Sequence, residues 1–222
     1  MGIMCANRLS VPASAAPAAV FAGFPAAVFE VFRQEDFDAC MAALRREATP
    51  RLSALGQQLV PALSARLQAA AYAHVARHLR RRVHPPEDTW VAWSTTPRGY
   101  KAQVHFEVGV SRRGGFVRLA ALAEAGPAKV AFVGQLSPAR LQALPPGPSP
   151  VLFTPDHHGA VKVPAAQLDA DWVSLERQAR RVQSGVALVI ETPAEAVVRR
   201  GAQWADDVLA AIDRLLPLAS LG

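Results

Sequence analysis

Hydrophobic positions between Gln34 and Gln68 recur at helical spacing: Phe37, Met41 and Leu44 in one run, then Leu52, Leu55, Leu59 and Leu63. Pro50 stands between the runs, where it suits the first turn of a second helix and marks the break from the first. A shorter helix is expected from Ala69 to about Arg81. It ends before His84-Pro85-Pro86, because a residue preceding proline disfavours helical backbone. The period then drops to two. Thr89, Val91 and Trp93 alternate with Trp90, Ala92 and Ser94. Val104, Phe106, Val108 and Val110 alternate with Gln103, His105, Glu107 and Gly109. A third strand follows Gly114-Gly115, from Phe116 to about Ala123. This pattern predicts an antiparallel meander with one face on a core and one face polar.

Pro145-Pro146-Gly147-Pro148-Ser149-Pro150 is a rigid connector and the best internal boundary. Beyond it the sequence predicts a short strand from Val151 to Phe153 and a polar loop holding Asp156, His157 and His158. A helix from about Asp169 to Gln183, a strand from Val186 to Ile190 and an amphipathic helix from about Ala202 to Leu216 follow. The expected fold class is α+β, with N-terminal helices packed on a mainly antiparallel sheet and further helices in the C-terminal part. Residues 1–28, rich in alanine and broken by Pro12, Pro17 and Pro25, make a poor secretory signal and are expected to be a disordered or loosely attached leader. Residues 29–222 are then expected to form a single domain. No apolar stretch approaches the roughly 20 residues needed to cross a bilayer, so no membrane partner is expected. Cys5 and Cys40 are the only thiols, which argues against a disulfide framework and makes a reducing cytoplasm the default setting.

Charge sharpens this picture. The net charge of +6 is carried entirely by residues 74–118, where nine arginines and lysines face Glu87, Asp88 and Glu107; the rest of the chain is neutral. A local positive field follows, suited to an anion or a nucleic acid, or simply a solvated arginine-rich face.

Several residues here can carry chemistry. His74 and His78 stand four apart, so on a helix they would share a face. That spacing could chelate a metal, but Val75 replaces the glutamate of a His-Glu-x-x-His motif and flanking arginines oppose a dication; no metal is assigned. His105 has Glu107 two residues on along the polar side of its strand. A carboxylate neighbour can tune an imidazole for acid/base work, or the histidine can simply belong to a cross-strand pair on an exposed sheet face. Arg98-Gly99-Tyr100-Lys101 joins two cations and a phenol at a glycine. Arginine grips phosphate or carboxylate in a fork, lysine adds a point charge, and tyrosine donates or stacks. Asp88 is better suited to pairing with an arginine than to catalysis. Cys40, within an apolar helix, reads as an inert buried thiol. No GxGxxG, GxxxxGK[ST] or GxSxG motif occurs, and no cofactor is identified.

Together His74-Val75-Ala76-Arg77-His78, Arg80-Arg81, Pro85-Pro86-x-Asp88-Thr89-Trp90-Val91-Ala92, Arg98-Gly99-Tyr100-Lys101 and His105-Phe106 resemble the YktB-like family, bacterial proteins of unknown function. Asp36-Phe37, Pro50, Leu55-Gly56, Leu59, Pro61 and Leu63-Ser64 fit the same pattern, as do Asp156-His157 and Leu215-Leu216-Pro217-Leu218. His84 departs from it, standing where the family usually has asparagine. The leader and the proline-rich stretch 143–149 are further departures. The resemblance implies a compact α+β fold with an antiparallel sheet and a cytoplasmic setting, and it implies no activity.

The favoured expectation is a pocket for an anionic small molecule bearing phosphate or carboxylate. Arg98 and Lys101 would grip the anion with help from Arg81 or Arg77, Tyr100 would orient it, and His105, then His78, would serve as acid or base. Alternatives are nucleic-acid binding through the same face, with Trp90 or Tyr100 stacking on bases, and a protein-interaction module. The first expectation requires His78 and His105 to lie on the same side of the sheet.

Overall fold

The computed structural model describes residues 20–78, 83–157, 161–181 and 183–219. Its N-terminal helices follow the sequence pattern with one refinement. Asp36 starts α2 (Phe37–Ala43) by accepting the Ala39 N–H at 2.7 Å. The helix then widens into a π-turn over Leu44–Ala48, where the Thr49 N–H reaches the Leu44 carbonyl, before continuing as α3 (Thr49–Leu67). Pro50 does not break the chain direction. Its ring would crowd the Arg46 carbonyl in a regular α-helix, and the wide turn just ahead of it relieves that crowding. α3 ends at Gln68, whose left-handed backbone (φ 51°) caps the helix. Before α2 lies α1 (Ala26–Glu30). Residues 20–28 were expected to belong to the leader, yet Phe21, Phe24 and Val28 are buried in the main core, with Phe24 edge-on to Trp204 at 5.5 Å.

Within the segment expected as a helix from Ala69 to Arg81, an edge strand, β1 (Tyr72–Val75), forms instead, and the described residues that follow it, Ala76 to His78, are not helical. It pairs antiparallel with β2 (Asp88–Ser94), His74 standing opposite Ala92. Four consecutive helical residues would leave β2 unpaired on that side, and the sheet's hydrogen bonds outweigh the weak local preference. His74 and His78 therefore do not share a helix face. β3 (Val104–Ser111), β4 (Gly114–Ala121), β5 (Leu152–Thr154), β6 (Val163–Pro164) and β7 (Val186–Pro193) complete a seven-stranded sheet in the order β1-β2-β3-β4-β7-β5-β6, antiparallel at every pair. Strands from both sides of the proline-rich stretch thus share one sheet. That stretch is pinned by Arg214, which donates to the Pro145 and Ser149 carbonyls at 2.9 Å each.

One face of the sheet carries the rows Trp93–Phe106–Leu119–Leu188–Phe153 and Val91–Val108–Val117–Ile190. Against it pack α1 to α3 and the later helices α4 (Pro127–Gln135), α5 (Pro138–Gln142), α6 (Trp172–Ala179), α7 (Ala194–Arg200) and α8 (Trp204–Leu215). Burial of this apolar surface is the main drive to the two-layer arrangement. The fold is α+β as expected, and no helix among the described residues is long and apolar enough to cross a membrane.

The opposite face corrects the expectation of a solvated polar side. Residues 104–110 and 114–121 are buried on both faces. Trp90, Ala92, Phe116, Ala120, Ala187 and Val189 form a second cluster here, roofed by Tyr100 and Leu122 from loops. Loops distant in sequence cover it, which strand alternation cannot foresee.

Candidate functional site

Polar side chains are built into this second face. Glu107 stands opposite Ala92 on one side and Arg118 on the other; His105 stands opposite Ala120. The small alanines leave room for large polar neighbours. Glu107 is fully buried and clamped by two imidazoles. His105 Nε2 lies 3.0 Å from Oε1, and His157 Nε2 lies 3.0 Å from both oxygens. Burial alone would push the Glu107 carboxyl up. The charge of His157 and the hydrogen bonds from both histidines outweigh this and hold it well below the usual carboxylate range. His105 Nδ1 donates to the Gln103 carbonyl at 2.8 Å, which turns its Nε2 toward Glu107. Neither ring nitrogen is left for a ligand in this arrangement.

Arg118 extends the layer. Its Nη2 donates to Asp88 at 2.7 Å, the arginine partner expected for Asp88, and its guanidinium lies 3.7 Å from the Phe116 ring centroid. Arg118 Nη1 is 3.6 Å from Glu107, too far for a hydrogen bond. Nη1 and Nε are buried without a hydrogen-bond acceptor among the described residues. Ionised groups buried at this density cost several kcal/mol each in desolvation, roughly, and stability alone does not call for them.

Two aromatic rings connect this layer with the β1 edge. Tyr100 packs on His105 at 4.8 Å and reaches His74 at 6.1 Å; Trp90 packs edge-on to His157 at 5.3 Å and to His78 at 5.5 Å. Burial first, and then the negative charge of Glu107, push the Tyr100 phenol up, so it remains a neutral donor. His78 adopts a left-handed backbone (φ 49°), a strained conformation for a residue other than glycine, and bonds the Thr89 hydroxyl at 3.1 Å. His78 and His105 thus both approach the Trp90–Tyr100 layer and do not lie on opposite sides of the sheet.

At that edge a cleft of about 790 Å³ runs between β1 and the helices. Arg45, His74, Arg77, His78 and Arg98 line it together with Thr49, Ser53 and the apolar Met41, Leu44 and Val75. It has no carboxylate among its described lining residues. The π-turn supplies Arg45 and the following α3 turn supplies Thr49, and such turns are frequent at functional sites.

Of the expected site residues, Arg77, His78 and Arg98 meet in this cleft. Tyr100, Trp90 and His105 lie in the buried layer. Lys101 is exposed and engages Glu124 at 3.3 Å, away from the cleft. Arg81 lies outside the described residues. The sequence pattern did not single out Arg45, Arg118 or the buried role of His157. The Glu107–Arg118 pairing was in principle legible, because a turn at Arg112-Arg113 with Ser111 opposite Gly114 places those two charges face to face.

Residues 24–219 match a protein family described as a domain of unknown function, DUF1054. Relatives described as UPF0637 proteins of Bacillus mycoides, Bacillus thuringiensis and Bacillus cereus are each 44% identical over 87 residues, covering 39% of this chain. The match spans 42% of each relative's length. These findings agree with the resemblance to an uncharacterised bacterial family, and the chain belongs to the DUF1054 family.

Proposed function

We propose that the protein binds a small anionic ligand, bearing phosphate or carboxylate, in the cleft between β1 and the α2–α3 helices. The observation that carries this reading is the charge of the lining: three arginines and two histidines converge with no described carboxylate among them. Arg77 and Arg98 grip the anion, Arg45 closes the helical side, and the hydroxyls of Thr49 and Ser53 supply further hydrogen bonds. His78 and His74 are the acid/base groups that meet the ligand. His105 acts behind them, holding Tyr100 and Glu107 in place.

The test is calorimetric titration of the full chain with inorganic pyrophosphate and citrate at low salt, repeated on the Arg77→Ala/Arg98→Ala double variant. Saturable binding that weakens at least about tenfold in the variant is expected, since a charge-assisted hydrogen bond contributes roughly 1.5–3 kcal/mol. Absence of saturable binding, or equal affinity in both proteins, overturns the reading. Retention of duplex DNA with a steep salt dependence, while pyrophosphate fails to bind, would assign the same cations to nucleic acid instead.

A further inference from the structure

The cleft has a shape that a compact anion does not need. Six consecutive residues, Ala73 to His78, line it. Alternate side chains of a strand point to opposite faces, so an unbroken run of lining residues means that the cleft follows the strand's edge. Its other wall is a single helical stripe, Met41, Leu44, Arg45, Thr49 and Ser53, at spacings of three and four residues over most of its length. Three of these residues, Ala73 to Val75, belong to the four-residue strand β1, which is about 13 Å long.

β1 is the outermost strand of the sheet, and among the described residues no strand pairs with its outer edge. The direction of its backbone groups is fixed by the inner pairing. The Ala76 N–H points inward to the Trp90 carbonyl at 2.8 Å. In an antiparallel ladder the direction alternates, so Ala73 and Val75 present both N–H and C=O outward into the cleft. A groove between an edge strand and a helix, with outward main-chain groups along its floor, is the geometry by which an extended peptide joins a sheet.

We infer that the outer edge of β1 takes an extended acidic peptide segment as an eighth strand, its main chain pairing with Ala73 and Val75 and its carboxylates meeting Arg45, Arg77 and Arg98. This rests on the anion-binding reading of the same cleft and names the class of ligand that presents the anion. Charge complementarity selects this occupant. A second copy of the chain would bring an equally basic edge against this one. Residues 1–19 contain no aspartate or glutamate to answer the arginines.

The experiment uses the full chain and a labelled, end-blocked hexapeptide alternating aspartate and valine, read by fluorescence anisotropy. Two further versions carry N-methyl groups on one or the other set of alternate amides, which removes main-chain donors and leaves every charge in place. One methylated set should weaken binding at least tenfold while the other has little effect. Val75→Pro, which removes an outward N–H and spares the inner ladder, should weaken the peptide similarly. Equal affinity for all three peptides overturns the strand-addition inference. Pyrophosphate binding without peptide binding also overturns it while leaving the anion reading intact; failure of both probes removes both. Sedimentation showing a dimer that Val75→Pro dissociates would make a second copy the occupant and overturn the peptide.

Discussion

Single residues carry sharp consequences on the second sheet face. Glu107 is the charge on which His105, His157 and Arg118 converge. Substituting its carboxylate with a neutral amide removes the charge that both imidazoles hydrogen-bond and leaves Arg118 to Asp88 alone, and Glu107→Gln should lose about 3 kcal/mol in urea unfolding at neutral pH. The pH dependence follows from the depressed carboxyl. Its stabilisation is present in full above the ordinary value of 4.5 and is lost as pH falls from there through the folded-state value. The wild-type stability curve should therefore drop on acidification below about pH 4.5, and the variant's curve should be flatter there; parallel curves would contradict this account. Gly109 makes a different demand. A β-carbon there would lie 2.3 Å from the Phe116 ring and 2.4 Å from the Thr89 carbonyl, so the ring that supports Arg118 could not cross β3. Gly109→Ala should lower stability by about 1–3 kcal/mol in thermal unfolding.

At the scale of elements, long periodic patterns were legible and short ones were not. Leu52, Leu55, Leu59 and Leu63 announce α3, and the clean alternation from Val104 to Val110 announces β3, because each repeats one choice several times. β1 is four residues long, and its alternation of Tyr72 and His74 with Ala73 and Val75 is equally readable as one helical turn. Only the vacant edge of β2 decides between them. α1 was hidden by alanine and proline composition, although Phe21 and Phe24 were the apolar anchors that a disordered leader would not need. The end of α3 offers a direct check of the local argument. Gln68 holds a left-handed conformation with an exposed side chain, which glycine adopts without strain. Gln68→Gly should raise stability by about 0.5–1 kcal/mol in chemical denaturation.

Across the whole molecule, helices take one face of the sheet and loops take the other, and the chemistry-bearing residues gather on the loop-covered face and at its β1 edge. The sequence located that region through its lopsided charge and its block of histidine, arginine and tyrosine. It could not divide the region into a buried layer and an open cleft, because Tyr100 packs on His105 and His157 bonds Glu107 from loops 57 residues apart along the chain. The division separates Lys101 from Arg98, and it puts His78 and His74 in front of His105. The central claim is that the cleft along β1 binds an anion. Amide chemical-shift mapping of the isotope-labelled full chain during a pyrophosphate titration tests it most directly. Saturable shifts concentrated at residues 73–78, 45–49 and around Arg98 are predicted; shifts confined elsewhere, or none at all, would contradict the account.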